Sequence, residues 1–202
     1  MTRFFILLSA FVVFPFAAHA IEAPTGQIHI DTHTILRGRF VEEHQMNGGK
    51  NPMRSSGHFI VAPANGLIWS IEQPFPTSTI ITPNGAVQDL GGVAVKLSVK
   101  NLHHLYNVVG GALAGDWYEL EADYIITRGG NAQHWQMLMT PRPEGKSKLP
   151  YATITVSGSR FVENILMTKS DGNYDSLAFT DAALSPTPLT AKENAFFNEV
   201  RQ

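Results

Sequence analysis

The residues that could do chemistry are few and scattered. In "HIDTH", His29, Asp31 and His33 would share one side of a strand, and on a helix the two histidines would stand one turn apart. Either conformation lets them converge on a metal ion. A third ligand at a recognisable spacing is missing, so the segment reads as a solvated face and no metal is expected. His103 and His104 are adjacent in a stretch of helical period and cannot both face one site. Gly145-Lys146-Ser147 has the ending of a phosphate loop, but Thr140 stands where that loop needs its first glycine. With no cysteine a thiol nucleophile is impossible, and no Gly-x-Ser-x-Gly elbow occurs. Glu42 and Glu43 are adjacent, and Glu119, Glu121 and Asp123 alternate as the outer face of a strand would. No catalytic set and no cofactor site assembles, so an enzyme is not expected.

The elements that must position any site begin after a leader. Arg3, the apolar run Phe4 to Ala17 and the small-x-small signal Ala18-His19-Ala20 predict a signal peptide over 1–20, cleaved after Ala20. The product is expected in the periplasm as a single domain, 21–202, and as a monomer. The absence of cysteine excludes a lipid-modified N-terminal cysteine and a disulfide framework. A formal net charge of −2 and the lack of a basic tract argue against nucleic acid as a partner. Apolar residues make up 44% of the chain against 16% charged, a low charged share that leaves apolar surface for a ligand.

Strand-like runs separated by Gly, Pro, Asn or Asp dominate. They are predicted over Arg39–Gln45, Gly57–Ala62, Leu67–Gln73, Thr77–Thr82, Val93–Lys96, Tyr118–Arg128, Gln133–Thr140, Ala152–Ser157, Arg160–Lys169 and Asp175–Asp181. Between them the period changes: Val99, Leu102, Leu105, Val109 and Ala112 recur at three- and four-residue steps, as one apolar helix face does. Gly110, Gly111 and Gly115 would loosen the end of that helix. A final short helix is predicted over Ala191–Val200.

Period-two facing shows what the strands enclose. Phe59 and Val61 share a side, as do Leu67, Trp69 and Ile71, with Ser70 and Glu72 turned toward water. Trp135, Met137 and Met139 share a face, as do Ile154 with Val156, Phe161 with Ile165 and Met167, and Leu177 with Phe179. A single helix stripe cannot cover about ten strands, so the antiparallel sheet must curl on itself or keep a hollow.

"LRGRFVEEHQM" and then "PMRSSGHFIVAPANGLIWSIEQPFPTSTIITPNG", with Ser-Gly-x-Phe ahead of the turn and Trp ahead of a Pro-terminated strand, resemble the LolA-like outer-membrane lipoprotein carriers. "GDWYELEADY" is similar to the family's segment after its lid helix. The resemblance implies a mainly β (α+β) fold, an incomplete antiparallel β-barrel whose apolar concave face is covered by a helical lid. It implies acylated cargo, lipoprotein or lipid, taken from an inner-membrane ABC-type donor and passed to an outer-membrane acceptor. Phe59, Val61, Leu67, Trp69 and Ile71 would then line the concavity, joined by the soft aromatic and Met faces above, with Val99, Leu102, Leu105 and Val109 on the lid. Better-known members carry Arg-Pro in the turn after the Ser-Gly-x-Phe strand, where this chain has Ala62-Pro63. A periplasmic protein-binding or assembly module with a fully packed interior is the alternative.

Overall fold

The computed structural model of the chain describes residues 26–46, 49, 51–97, 99–144, 150–185 and 188–200, with the backbone alone at 99–105, 107, 119 and 199. Eleven strands form one antiparallel sheet: β1 (Ile35–Gln45), β2 (Met53–Ala62), β3 (Gly66–Gln73), β4 (Thr77–Thr82), β5 (Gly85–Asp89), β6 (Ala94–Lys96), β7 (Tyr124–Gly130), β8 (Trp135–Pro141), β9 (Thr153–Gly158), β10 (Val162–Thr168) and β11 (Tyr174–Ser185). Their order is β6-β5-β4-β3-β2-β1-β11-β10-β9-β8-β7. Two meanders therefore meet where β11 pairs with β1, and the edges are β6 and β7. The link between those edges is helical, α1 (Val99–Ala114) followed by α2 (Tyr118–Asp123); a third helix, α3 (Ala191–Glu199), follows β11.

The sheet curls around α1. That helix touches β2 to β5 in one meander and β10 in the other. In a flat sheet β5 and β10 lie six strand steps apart, about 29 Å at about 4.8 Å per step, which exceeds even the whole length of this 16-residue helix, about 24 Å. The expected incomplete barrel is what the chain forms: the sheet stays open, and a helix lies across its inner face.

Both faces are buried in part. The inner face carries the larger core, from Leu36, Phe40, Phe59 and Val61 through Trp135, Met137, Met139 and Ile154 to Leu177 and Phe179, with Val108, Val109, Ala112 and Leu113 of α1. The outer face of β2, β3 and β4 holds a smaller cluster of Ile60, Ile68 and Ile80 around Phe197 of α3. Ser70 belongs to that outer face but does not reach water; it is 6% exposed, and its hydroxyl pairs with Ser78 Oγ at 2.9 Å.

α3 is fastened by its first turn. Thr190 Oγ1 accepts from Glu193 N at 3.2 Å while Glu193 Oε2 accepts from Thr190 N at 2.7 Å, a reciprocal cap. Arg37 on β1 donates to both Glu193 oxygens, at 2.8 and 3.3 Å. Burial alone would raise the Glu193 carboxyl, but these bonds outweigh it and hold it below the ordinary 4.5. A depressed carboxylate stabilises the fold above its unfolded value and stops doing so as pH falls through its folded one. Glu193→Ala is expected to cost about 1–2 kcal/mol at neutral pH. Urea unfolding of both proteins should show that difference at pH 7 and its loss in acid.

Three departures from the sequence expectations have local causes. Tyr118 to Asp123 is helical because Glu-Leu-Glu-Ala favours helix and Asp116 Oδ1 takes Tyr118 N at 3.3 Å at its start; only from Tyr124 does the chain extend. Glu121 and Asp123 thus sit on a helix, and Glu121 pairs with Arg128. Gly85 to Asp89 is a strand, paired to β4 from Thr82↔Gly85 to Ser78↔Asp89 across the Pro83-Asn84 turn. The third departure is a bulge between Val162 and Asn164, which turns Val162 inward with Ile165 and Met167 and leaves Phe161 before the strand, packed at the core's margin.

Candidate functional site

An apolar cleft of about 330 Å3 opens between the inner face and α1. β3 supplies Leu67, Trp69 and Ile71; β4 supplies Thr79 and Ile81; β10 and β11 supply Met167 and Leu177; α1 supplies Tyr106 and Val109. Alternation places them there. Leu67 and Trp69 face inward because Leu67↔Val61 and Trp69↔Phe59 are directly opposed pairs, with Ile81 and Thr79 their partners on β4.

Three core rings pack around the cleft-lining Trp69. Phe40 stacks on Trp69 at 3.7 Å between centroids, and Phe179 meets Trp69 and Phe59 edge-on at 6.2 and 5.4 Å. Gly38 makes this possible, since a Cβ there would stand 2.6 Å from the Phe59 ring.

One end of the cleft is polar. Glu42, Tyr151 and Asp175 line it, and the strand pairing that brings Glu42 beside Leu177 and His44 beside Asp175 sets their positions. Tyr151 Oη donates to Asp175 Oδ2 at 2.6 Å, His44 Nδ1 donates to Asp175 Oδ1, and Lys169 Nζ lies 3.5 Å from Oδ2. Ser55 Oγ donates to Glu42 Oε2 at 3.1 Å. Burial, above all, pushes the Glu42 carboxyl above its ordinary value; the Ser55 bond opposes this and the Asp175 charge adds to it. Burial would raise Asp175 too, but Tyr151, His44 and Lys169 together hold it below its usual range. Burial and the Asp175 carboxylate keep the Tyr151 hydroxyl firmly protonated.

Of the residues predicted to line the concavity, Leu67, Trp69, Ile71, Met167 and the lid residue Val109 meet in this cleft. Phe59, Val61, Trp135, Met137, Met139, Ile154, Val156 and Ile165 face the same interior but are packed within the core. The side chains of Val99, Leu102 and Leu105 lie outside the described residues, as do those of His103, His104 and Glu119 and the whole of Gly145 to Ser147. His29, Asp31 and His33 do not converge: Asp31 Oδ1 takes the His33 N–H at 2.9 Å, and His29 Nδ1 sits 3.4 Å from Gly115 O. Among the described residues, no group of three or more His, Asp or Glu could hold a metal ion.

Sequence reasoning missed Glu42, Asp175 and Tyr151. The first two were within reach, because alternation from Phe40 leads inward to Glu42 and from Leu177 back to Asp175. Tyr151 stands before β9, where no periodicity applies.

The N-terminal segment straps the covering helix. Gln27 Nε2 donates to Ala112 O at 2.6 Å and Ile30 N to Ala114 O at 2.8 Å, while Ile28 N donates to Arg160 O at 3.0 Å. The end of α1 is thereby tied to the turn before β10, in a chain whose hairpin turn lacks the family's arginine.

A curled, open antiparallel sheet with an apolar cleft beneath a helix defines an incomplete-barrel fold. The chain belongs to the LolA-like outer membrane lipoprotein carrier protein family, whose model matches residues 17–164. Among curated proteins, none matches the chain. Similar solved structures include a Vibrio parahaemolyticus domain provisionally assigned to outer membrane lipoprotein sorting, 13% identical with TM-score 0.48, covering 86% of this chain and 94% of that one. A LolA superfamily protein from Nitrosomonas europaea is 9% identical with TM-score 0.41, covering 79% and 90%. MucB of Pseudomonas aeruginosa, solved with MucA, is 15% identical with TM-score 0.47; the match covers 80% of this chain but only 55% of MucB.

Proposed function

We propose that the protein is a periplasmic carrier that shelters the acyl chain of a lipoprotein or related lipid between the sheet and α1 and moves it from inner to outer membrane. The apolar cleft under a helix that joins the two sheet edges is the observation that carries this reading. A water-sized group takes about 30 Å3, so about 330 Å3 holds on the order of ten methylenes. Those are worth about 8 kcal/mol at about 0.8 kcal/mol each. Association costs, which begin at about 4 kcal/mol, offset at least half of that, so a carrier of this size holds one chain weakly, as release to an acceptor requires. The cleft as it stands takes one chain; a second needs α1 to lift, bringing Phe59, Val61, Trp135, Met137, Met139, Ile154, Val156 and Ile165 into the lining. Export and loss of residues 1–20, with 21–202 acting as one monomeric carrier domain between an ABC-type donor and an outer-membrane acceptor, complete the proposal. Organic extracts of gently purified protein should contain acyl species in stoichiometric amount by mass spectrometry; clean extracts would sink it.

The second reading is a protein-binding module. Edge strand β6 supports it, because Val95 on the strand and Val93 before it are exposed, 41% and 64%, beside a row of backbone groups open to strand addition. A fluorescent acylglycerol separates the two, since a module with a packed interior would not take it up.

A further inference from the structure

We infer that the polar end of the cleft selects cargo by its head group, admitting a single-chain amphiphile whose head donates hydrogen bonds and turning away one whose head is anionic. The inference rests on the carrier reading and concerns the same cleft. The aliphatic and aromatic residues in it can accept a chain, while the charged side chains among the described lining, Glu42 and Asp175, stand together at one end and can read what the chain is attached to.

That end is rich in acceptors. Glu42 Oε2 takes the Ser55 hydroxyl, while Oε1 receives no hydrogen bond from the described residues. Tyr151, which also lines this end, commits its O–H to Asp175, so its oxygen has only lone pairs left to offer an entering group. The basic side chains are placed otherwise. Lys169 lies behind Asp175, 5.6 Å from the centre of the Tyr151 ring, and His44 reaches Asp175 from β1; neither lines the cleft. An entering head therefore meets two carboxylates and a phenol oxygen, with the balancing charge one layer back.

A carboxylate or phosphate head in that position faces like charges in a partly dehydrated setting, and such juxtapositions cost several kcal/mol. An ammonium or hydroxyl head instead supplies the donor that Glu42 Oε1 lacks. The upward push of burial on Glu42 agrees, because a buried carboxyl held by a single hydroxyl gains from a second donor.

The test is a titration of the full mature protein with dodecylamine, 1-dodecanoylglycerol and dodecanoate, each below its micelle concentration at mildly alkaline pH. Trp69 lines the cleft, so tryptophan emission reports entry. The amine and the glyceride should bind at least about tenfold tighter than the acid, a factor that about 1.4 kcal/mol supplies. In Glu42→Gln, which keeps the shape and removes the charge, the gap between amine and acid should close to about threefold or less. Equal binding of amine and acid by the parent, or an unchanged gap in the variant, overturns the inference and leaves the carrier reading standing. Binding of none of the three overturns both. Should the variant not fold, the ranking on the parent decides.

Discussion

Phe59→Ala is expected to lower the stability of the protein by about 3–5 kcal/mol, the cost of emptying an aromatic site in a core that cannot collapse to fill it. Phe59 is fully buried. Its ring stands over Gly38 on one side and against the edge of Phe179, 5.4 Å away, on the other. Gly38 has no side chain with which to close the gap, and Phe179 and Trp69 are already committed to each other at 6.2 Å. Since domains hold about 5–15 kcal/mol in total, the variant would sit close to its unfolding threshold. Urea unfolding should show a large fall in midpoint at nearly constant slope. A midpoint within the error of the parent would mean that the ring cluster around Trp69 is not the rigid unit its packing indicates.

Val109→Trp addresses function instead. Val109 is 4% exposed and, with Tyr106, lines the cleft from α1 among the described residues. An indole there fills the volume that an acyl chain would use, and the overpacking cost of about 1–3 kcal/mol is lessened because the ring enters existing space. Uptake of a neutral fluorescent acylglycerol should fall by about tenfold or more, since about three of the methylenes, about 2.4 kcal/mol, lose their place. Val109→Ala, which enlarges the cleft, should keep uptake. Unchanged binding by the tryptophan variant would place the cargo elsewhere.

Much of the barrel was legible because one face of each strand is buried, and alternation then has a single meaning. In β8, Trp135, Met137 and Met139 are buried between exposed neighbours, the plainest form of that signal. In β2 and β3 the runs "FIVA" and "LIWSI" are nearly continuous, the mark of strands covered on both sides. Taken only as alternation, they concealed the outer cluster beneath α3 and the burial of Ser70. Tyr118 to Asp123 misled because Tyr-Glu-Leu-Glu-Ala-Asp satisfies period two while its residues prefer helix. Phe161 still packs against the core, but at its margin and ahead of the strand, since a bulge adds a residue that no periodicity anticipates. At the site, apolar types announced the cleft, whereas Glu42 and Asp175 were hidden by the habit of assigning carboxylates to water.

The two ends of the strand sequence meet in an unusual place. The first and last strands are neighbours at the middle of the sheet, so its two free margins belong to residues from the centre of the sequence. The chain is thus two hairpin-linked halves sewn together along β1 and β11, with the segment between β6 and β7 thrown across the opening as a tether. Cutting that tether would sever no strand pair. A protease that nicked it should leave two fragments that stay associated and co-elute, and the slack so created would act on the covering helix alone.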